Sequence, residues 1–312
     1  MDRVTSFTAY NSVIGNLLQA ESNQNQADIQ VSSGKVASDL KGFGANAEAL
    51  TAAQALKTRV TGYVNTATNV GSQLTAQDTA LTEVSSAGQT ARQAIAAAVA
   101  GGSANGLMAS LQSAFSQAVD GLNTQYNGVY LFAGGNVATA PVSTQTLQQL
   151  VPPATVGFNN DQLASSVQLN ETTKVQTGML ASDIGTPLFQ AFQAVAALNA
   201  GPSGPLTGPL TDAQQTALTT LMQTFDAANS GLTETTAQNG LVQNQVDSIK
   251  SAQVQRQTDL QTTIGDMADV DMGQASAQLS QAQTALQASA RVFQSLQSTS
   301  LLNYLGSTGT LG

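Results

Sequence analysis

Residues 271–304 read DMGQASAQLSQAQTALQASARVFQSLQSTSLLNY, and this stretch decides how the rest of the chain is interpreted. Apolar or small side chains recur after three and then four residues, while Gln, Ser and Thr occupy nearly every other position. The recurring positions are Met272, Ala275, Leu279, Ala282, Leu286, Ser289, Phe293 and Leu296. This alternation is typical of a coiled-coil seam, so the stretch is predicted to form a long helix that packs against other helices.

The final turn of this helix is apolar on a different side. The seam shifts there to Leu301, Leu302 and Leu305, which predicts contact with a second neighbour. A single seam flanked by polar residues stabilises an isolated helix poorly, so we expect order only where the helix is packed.

The composition favours thin helical bundles over a thick globular core. Of the 312 residues, 4% are aromatic and 9% are charged, and there is no Trp. Large side chains are therefore scarce, and helices rich in small residues fit this composition better.

Charge and hydropathy exclude several classes of partner. The formal net charge is −9, from 10 Lys and Arg against 19 Asp and Glu. No stripe of basic residues could neutralise phosphates, which argues against binding to nucleic acid or to an anionic membrane surface. No run of eighteen apolar residues occurs, so we predict no membrane-spanning helix.

The chain is compatible with an extracellular location. It contains no Cys, which excludes disulfides and thiolate sites. The N-terminus lacks the pattern of a cleaved signal peptide, so we expect any export to follow a route other than the general secretory one.

Candidate chemical sites have simpler explanations. Residues 42–47, GFGANA, echo a dinucleotide-binding loop, but no predicted strand precedes them, which favours a turn between helices. Asp266, Asp269 and Asp271 lack the spacing and the bidentate Glu of an EF-hand, which favours a solvated hinge. The usual general base, thiol nucleophile and zinc ligands are missing because there is no His and no Cys. We therefore predict no enzyme activity, no cofactor and no metal site.

The same periodicity recurs along most of the chain, interrupted once. Helices are predicted over about 3–32, 45–100, 105–127, from Pro187 onward, 211–264 and 271–304. The interval 136–185 instead shows turn residues and short apolar runs, with candidate strands at 155–158, 166–169 and 174–177. A small β-rich insertion between helical halves is the prediction.

These elements divide the chain into five predicted segments. They are an N-terminal helix of a terminal domain (1–40), the first half of a rod domain (41–135), the β-rich insertion (136–185), the second half of the rod (186–265) and the C-terminal helix of the terminal domain (266–312). We therefore predict a mainly α fold, an elongated antiparallel bundle of long coiled-coil-like helices from both chain halves, with a small inserted β-rich domain.

This layout and several short motifs resemble the bacterial flagellin superfamily. The sequence VSSGK at 31–35, followed by the Ala-rich start of a long helix at 47–60, resembles the family's N-terminal signature. Residues 280–288, SQAQTALQA, resemble its C-terminal signature. The chain departs from the family at 37–45, where ASDLKGFGA replaces an acidic stretch that contains Pro.

Within the superfamily, four places resemble the hook–filament junction subunits more than filament flagellin. YLFAGG at 130–135 resembles the entry to their insertion. FNND at 158–161 and DIGTPLF at 183–189 resemble marks within it, and SLLNYL at 300–305 resembles their C-terminal ending. Filament flagellin and a secreted coiled-coil effector or translocator remain the alternatives.

The resemblance implies a secreted structural subunit of the extracellular bacterial flagellum. Such a subunit would leave the cell unfolded through the flagellar type III apparatus. The partners implied are its own copies, another hook-associated protein, flagellin, and an export chaperone that holds the C-terminal helix.

The apolar terminal seams are the predicted assembly interface. Its candidate residues are Phe7, Ile14 and Leu17 on the first helix, and Leu279, Leu286, Phe293, Leu296, Leu301, Leu302 and Leu305 on the last. We expect these seams to lack partners within one subunit. The ends of the free chain, 1–40 and 266–312, are accordingly expected to be disordered around a stable rod core.

Overall fold

The computed structural model describes residues 2–154 and 156–308, with side chains for residue 8 and for 10–154 and 156–297. The helices are α1 (Asp2–Ser33), α2 (Ala47–Gly101), α3 (Leu107–Leu122), α4 (Ala181–Ala200), α5 (Asp212–Ala268) and α6 (Met272–Thr308). Short 3-10 helices cover Leu40–Asn46 and Leu147–Leu150. The strands are β1 (Gln125–Tyr126), β2 (Val129–Tyr130), β3 (Ser166–Gln168) and β4 (Lys174–Gln176). The prediction of a mainly α fold with a small β region is confirmed.

The third predicted helix ends earlier than expected. Helix α3 stops at Leu122, and the chain then forms a hairpin in which β1 pairs antiparallel with β2. Asn127 and Gly128 link the strands with φ angles of 52° and 80°. An Asn-Gly pair with two positive φ angles suits the tight turn of a two-residue hairpin, a signal that the helical periodicity obscured.

The insertion and α4 also differ from expectation. Residues 156–158 form no strand, whereas the predicted strands at 166–169 and 174–177 are present as the antiparallel pair β3–β4. Helix α4 begins at Ala181, so the expectation that Pro187 lies in a first turn is wrong. The amides of Asp183 and Ile184 already bond to the Leu180 carbonyl, both at 3.1 Å, which starts the helix earlier.

The chain divides into two compact units. Unit 1 comprises Met1–Arg59 and Arg256–Gly312, and unit 2 comprises Val60–Gln255. Helices α2 and α5 contribute residues to both units. The finer division into five segments stays a prediction.

Unit 2 has the larger side chains in its core. Phe115, Phe189, Phe192 and Phe225 are almost completely buried. The Phe115 ring lies 5.1 Å from that of Phe189 and 5.3 Å from that of Phe192, which in turn lies 5.1 Å from Phe225. Since aromatic rings bury large areas, this cluster ties α3, α4 and α5 together.

Helices α2 and α5 run antiparallel in unit 2. The Arg92 Nε donates to Asp226 Oδ1 at 2.9 Å, and the Asn239 amide donates to the Leu74 carbonyl at 3.0 Å. Residue numbers therefore fall along α5 as they rise along α2. The β3–β4 hairpin packs on the same pair of helices, placing Leu169 and Val175 against a cluster that contains Ala67, Val70, Leu74 and Val246.

A glycine permits the close approach of α3 to α2. A Cβ added at Gly121 would lie 2.7 Å from Val84 Cγ2 and 3.2 Å from the Ala80 carbonyl oxygen. Because one of these atoms belongs to the backbone, α3 would have to move as a whole to make room.

We predict that Gly121→Ala destabilises the protein by about 1–3 kcal/mol, as overpacking of a buried contact does. The matched control is Gly231→Ala in α5, where an added Cβ meets nothing within 4 Å. That change should be neutral or stabilising by up to about 1 kcal/mol, because Ala favours a helix. Thermal unfolding followed by circular dichroism measures both, and equal melting shifts would contradict the close approach.

Candidate assembly interface

The two terminal helices of unit 1 pack against each other. Helix α1 contacts α6 along much of its length. The pairing is antiparallel, since Tyr10 lies by Phe293 near one end and Lys35 lies by Asp269 at the other. The expectation that the terminal seams have no partner within the chain is therefore wrong, because each seam is the other's partner. The expectation of disordered ends in the free chain loses its basis with it.

All six of the predicted interface residues with described side chains lie half-buried on this pair. They are Ile14, Leu17, Leu279, Leu286, Phe293 and Leu296. The side chains of Phe7, Leu301, Leu302 and Leu305 lie outside the described residues, although their backbone belongs to α1 and α6. The Phe293 ring contacts Tyr10, with ring centroids 5.7 Å apart.

The buried positions of the pair are alanines. Among the described side chains of α1 and α6, these are Ala20, Ala27, Ala275 and Ala282. Ala20 and Ala27 were missed as interface residues, although they follow Leu17 at helical spacings of three and then seven residues. Small side chains allow close approach of the helices but bury little apolar area, so the pair is held weakly.

Several large apolar side chains of the pair face solvent. Leu18 is 59% exposed, Val292 51%, Met272 46% and Ile29 45%. These residues, which include the predicted seam position Met272, remain largely uncovered after the two helices have paired. Apolar groups left in water on both helices are available to a further partner.

An uncharged groove runs between α1 and α6. Its volume is about 410 Å³, and no charged residue lines it. Its lining consists of Ala20, Asn23, Gln26, Ala27, Gln30, Gln278, Gln281, Ala282 and Ala285. Amide side chains can both donate and accept hydrogen bonds, so the groove suits a polar, uncharged surface better than a charged ligand.

Among the residues that the structure describes there is neither a metal-ligand group nor a membrane-spanning helix. They contain no group of three or more acidic side chains placed to hold a metal ion. None of the described helices combines the length and hydropathy that crossing a bilayer requires.

Three of the motifs that resemble junction subunits meet in unit 2. The Ala181 amide donates to the Phe132 carbonyl at 2.9 Å, which joins 130–135 to the start of α4. Asn160 Oδ1 accepts from the Ser182 amide at 3.1 Å. Asp161 Oδ1 accepts from the amides of Gly135 and Leu163 at 2.8 and 2.9 Å. The motifs therefore build one hydrogen-bonded loop cluster at the base of the insertion.

The loop cluster changes the pKa of the Asp161 side chain. Hydrogen bonds from the backbone amides of Gly135 and Leu163 lower the pKa of Asp161 below its usual value, because they favour the charged form. A carboxyl group whose pKa is lower in the folded state stabilises that state above its unfolded pKa. The contribution is lost as the pH falls through the folded pKa.

We predict that Asp161→Asn lowers the melting temperature at pH 7, and that the difference from the unmodified chain shrinks as the pH falls below about 4. Thermal melts between pH 7 and pH 3 measure it. The control is Asp120→Asn, which removes the same charge from an exposed position in α3. If both variants follow the same pH profile, net charge and not the Asp161 hydrogen bonds accounts for the effect.

The fold and the α1–α6 pair define a class of protein. It is mainly helical, its first and last helices pair, and apolar side chains of that pair remain exposed. The sequence matches the bacterial flagellin N-terminal helical region over residues 4–137 and the flagellin C-terminal helical region over 222–305. The chain belongs to the bacterial flagellin family. No curated protein matches the sequence.

Solved structures of similar fold are flagellar proteins. One described as a flagellar hook-associated protein from Vibrio parahaemolyticus aligns with a TM-score of 0.60 at 17% identity, covering 74% of this chain and 99% of its own. Bacillus cereus FlgL aligns with a TM-score of 0.53 at 15% identity, covering 69% and 98%. Xanthomonas campestris FlgL aligns with a TM-score of 0.54 at 15% identity, covering 69% and 99%. At these identities the likeness establishes the fold.

Proposed function

We propose that this protein is a structural subunit of the bacterial flagellum that joins a hook-associated ring to the flagellin filament by self-assembly through its terminal helices. The observation that carries the proposal is the α1–α6 pair, which leaves Leu18, Ile29 and Val292 exposed. Membership of the flagellin family supports an axial flagellar role. The motifs at the base of the insertion, and the fold shared with hook-associated proteins, support the junction over the filament.

Its partners in the assembled flagellum are then of three kinds, and an export chaperone is a fourth partner before secretion. Copies of this chain lie to the sides, another hook-associated protein lies on one face and flagellin on the other. An export chaperone holds α6 before secretion through the flagellar type III apparatus, and the assembled subunit is extracellular. No nucleic acid, membrane or cofactor takes part.

Two sets of interface residues allow the pairing of α1 with α6 to be tested separately from assembly with other subunits. Leu286 and Phe293 are half-buried on the seam of the pair, so replacing them tests the α1–α6 contact within one chain. Leu18 and Val292 remain exposed and test contacts with other subunits. The second set is therefore the sharper probe of assembly.

We predict that Leu18→Asp with Val292→Asp leaves the melting transition of the free chain unchanged but abolishes assembly. An unpaired charge buried in a dry interface costs several kcal/mol, whereas on an exposed surface it costs little. Immunoblots of culture medium and of isolated hooks report the result. The variant should be present in the medium and absent from the hooks.

The matched control is Gln19→Asp with Gln294→Asp, which adds the same two charges at exposed polar positions of the same helices. This control should still be incorporated into hooks. Normal filaments in cells that carry the Leu18 and Val292 variant would refute assembly through the terminal helices.

Copy number distinguishes a junction subunit from filament flagellin. A ring between hook and filament needs few subunits, whereas the filament needs a great excess. We predict that quantitative mass spectrometry of sheared flagella finds this chain as a minor component beside an abundant flagellin. If it is the main component, the protein is filament flagellin.

A further inference from the structure

A polar layer interrupts the apolar core of unit 2 where α2 faces α5. It consists of the side chains of Gln77 in α2, Thr177 just after β4 and Asn239 in α5, which are 0%, 3% and 2% exposed. Along α2 the layer separates two apolar clusters, because Leu74 belongs to one of them and Leu81 to the other. Three distant parts of the chain therefore bring buried polar groups to one level of the rod.

Hydrogen bonds join these three parts. Asn239 Nδ2 donates to the Leu74 carbonyl oxygen at 3.0 Å, and Gln243 Nε2 donates to the same oxygen at 3.2 Å. Gln77 Nε2 donates to the Thr177 carbonyl oxygen at 3.1 Å. Within one turn of α2, the helix is thus bonded both to α5 and to the end of the insertion.

The polar layer is not built for stability alone. The buried oxygens Gln77 Oε1, Thr177 Oγ1 and Asn239 Oδ1 have no donor among the residues that the structure describes. Burying a polar atom without a hydrogen bond costs free energy, and a partly satisfied polar network is less stable than apolar packing. The polar side chains at this level therefore require a reason other than stability.

The apolar contacts between α2 and α5 repeat along both helices. Buried positions of α5 recur every seven residues, at Leu218, Phe225, Leu232, Asn239, Val246 and Gln253. Buried positions of α2 include a run at the same interval, Val60, Ala67, Leu74 and Leu81. A seven-residue repeat looks alike after a shift of seven residues, or about 10 Å along a helix. Apolar contacts alone therefore distinguish weakly between such settings.

Large aromatic rings hold only one end of α5. The ring of Phe225 lies 5.1 Å from that of Phe192 in α4. Beyond Phe225, the buried positions of the seven-residue repeat carry no aromatic side chain. A shift of α5 against α2 in that part would separate Asn239 from Gln77 and bury each among apolar side chains. Such a shifted setting is disfavoured because the polar groups lose their common level.

We propose that the polar layer fixes the register of α5 and of the insertion against α2. A single buried polar side chain on a helical seam can select one register at a cost in stability. Here Asn239 selects the setting of α5, and the bond from Gln77 to Thr177 gives the insertion the same reference point. The proposal concerns unit 2 alone and does not rest on the proposed function. A failed assembly experiment leaves it untouched.

Spin labels on the full chain measure the register. The chain contains no Cys, so two introduced cysteines carry the only labels. Asn69→Cys and Ser248→Cys, at exposed positions of α2 and α5, report the part that contains the polar layer. Gln93→Cys and Gln223→Cys, also exposed, report the part beside the Phe rings. Double electron–electron resonance then gives the distance between the two labels, and the original chain should show a single distance for each pair.

The test variant is Asn239→Leu with Gln243→Leu, which removes both side-chain donors from α5 to the Leu74 carbonyl. That carbonyl lies inside α2 and keeps its helical hydrogen bond, so no buried backbone group is left unpaired. We expect a melting temperature equal to or above that of the original chain. The labels at 69 and 248 should show more than one distance, while those at 93 and 223 keep one.

The matched control is Asn244→Leu with Gln245→Leu, which makes the same changes at exposed neighbouring positions of α5. It should keep a single distance for both label pairs. A single distance between 69 and 248 in the test variant would overturn the proposal. A clear fall in its melting temperature, or several distances in the control or between 93 and 223, would overturn it as well, because the layer would then supply stability and not register.

Gln77→Leu tests the part of the proposal that concerns the insertion. This change leaves the Thr177 carbonyl without its side-chain donor, so amide exchange in β3 and β4 should rise by about three- to tenfold. Gln89→Leu, the same change at an exposed position of α2, should leave that exchange unaltered. Equal exchange in the two variants would show that the layer does not position the insertion.

Discussion

The rest of the structure depends on one constraint: helices from the second half of the chain run antiparallel to helices from the first half. In unit 1 it sets Lys35 beside Asp269, and in unit 2 it sets Arg92 beside Asp226. The long helices pair across the two halves of the chain, α1 with α6 and α2 with α5. Neither half can bury its apolar seam alone, so the two halves fold as partners, and the ends of the chain meet.

The two units differ in the size of their buried side chains, and therefore in stability. Unit 2 is held by an interlocking group of buried Phe rings, each of which buries a large apolar area. Among the described side chains of the α1–α6 pair, only alanines are buried, and Leu18 and Val292 remain in solvent. This difference fits the proposed function, in which subunits join through their terminal helices, because those helices can rearrange while unit 2 keeps its fold.

Helical periodicity predicted the helices well because it depends only on local spacing, and the bounds of α1, α2 and α5 agree with it closely. It failed where a local signal competed with the period, as at Asn127 and Gly128, whose turn ends the helical run. It also could not show that the α1 and α6 seams face each other. An apolar seam shows which side of a helix packs against a partner. It does not show which partner, because many other apolar seams could pack against that side. The alanines at 20 and 27 were missed because the apolar face of the first helix was assigned from its large side chains, and the small Ala side chain adds little to that signal.

By itself the sequence determined the class of fold, the family and the approximate bounds of the long helices, because these follow from spacing, composition and short motifs. The predicted bounds also place Gly34 just after the first helix and Asp271 at the start of the last, where these residue types are favoured. Only the tertiary structure decided that the terminal seams pair within one chain and that Lys35 meets Asp269. Those contacts join residues far apart in the chain, and no local pattern encodes which distant segments meet.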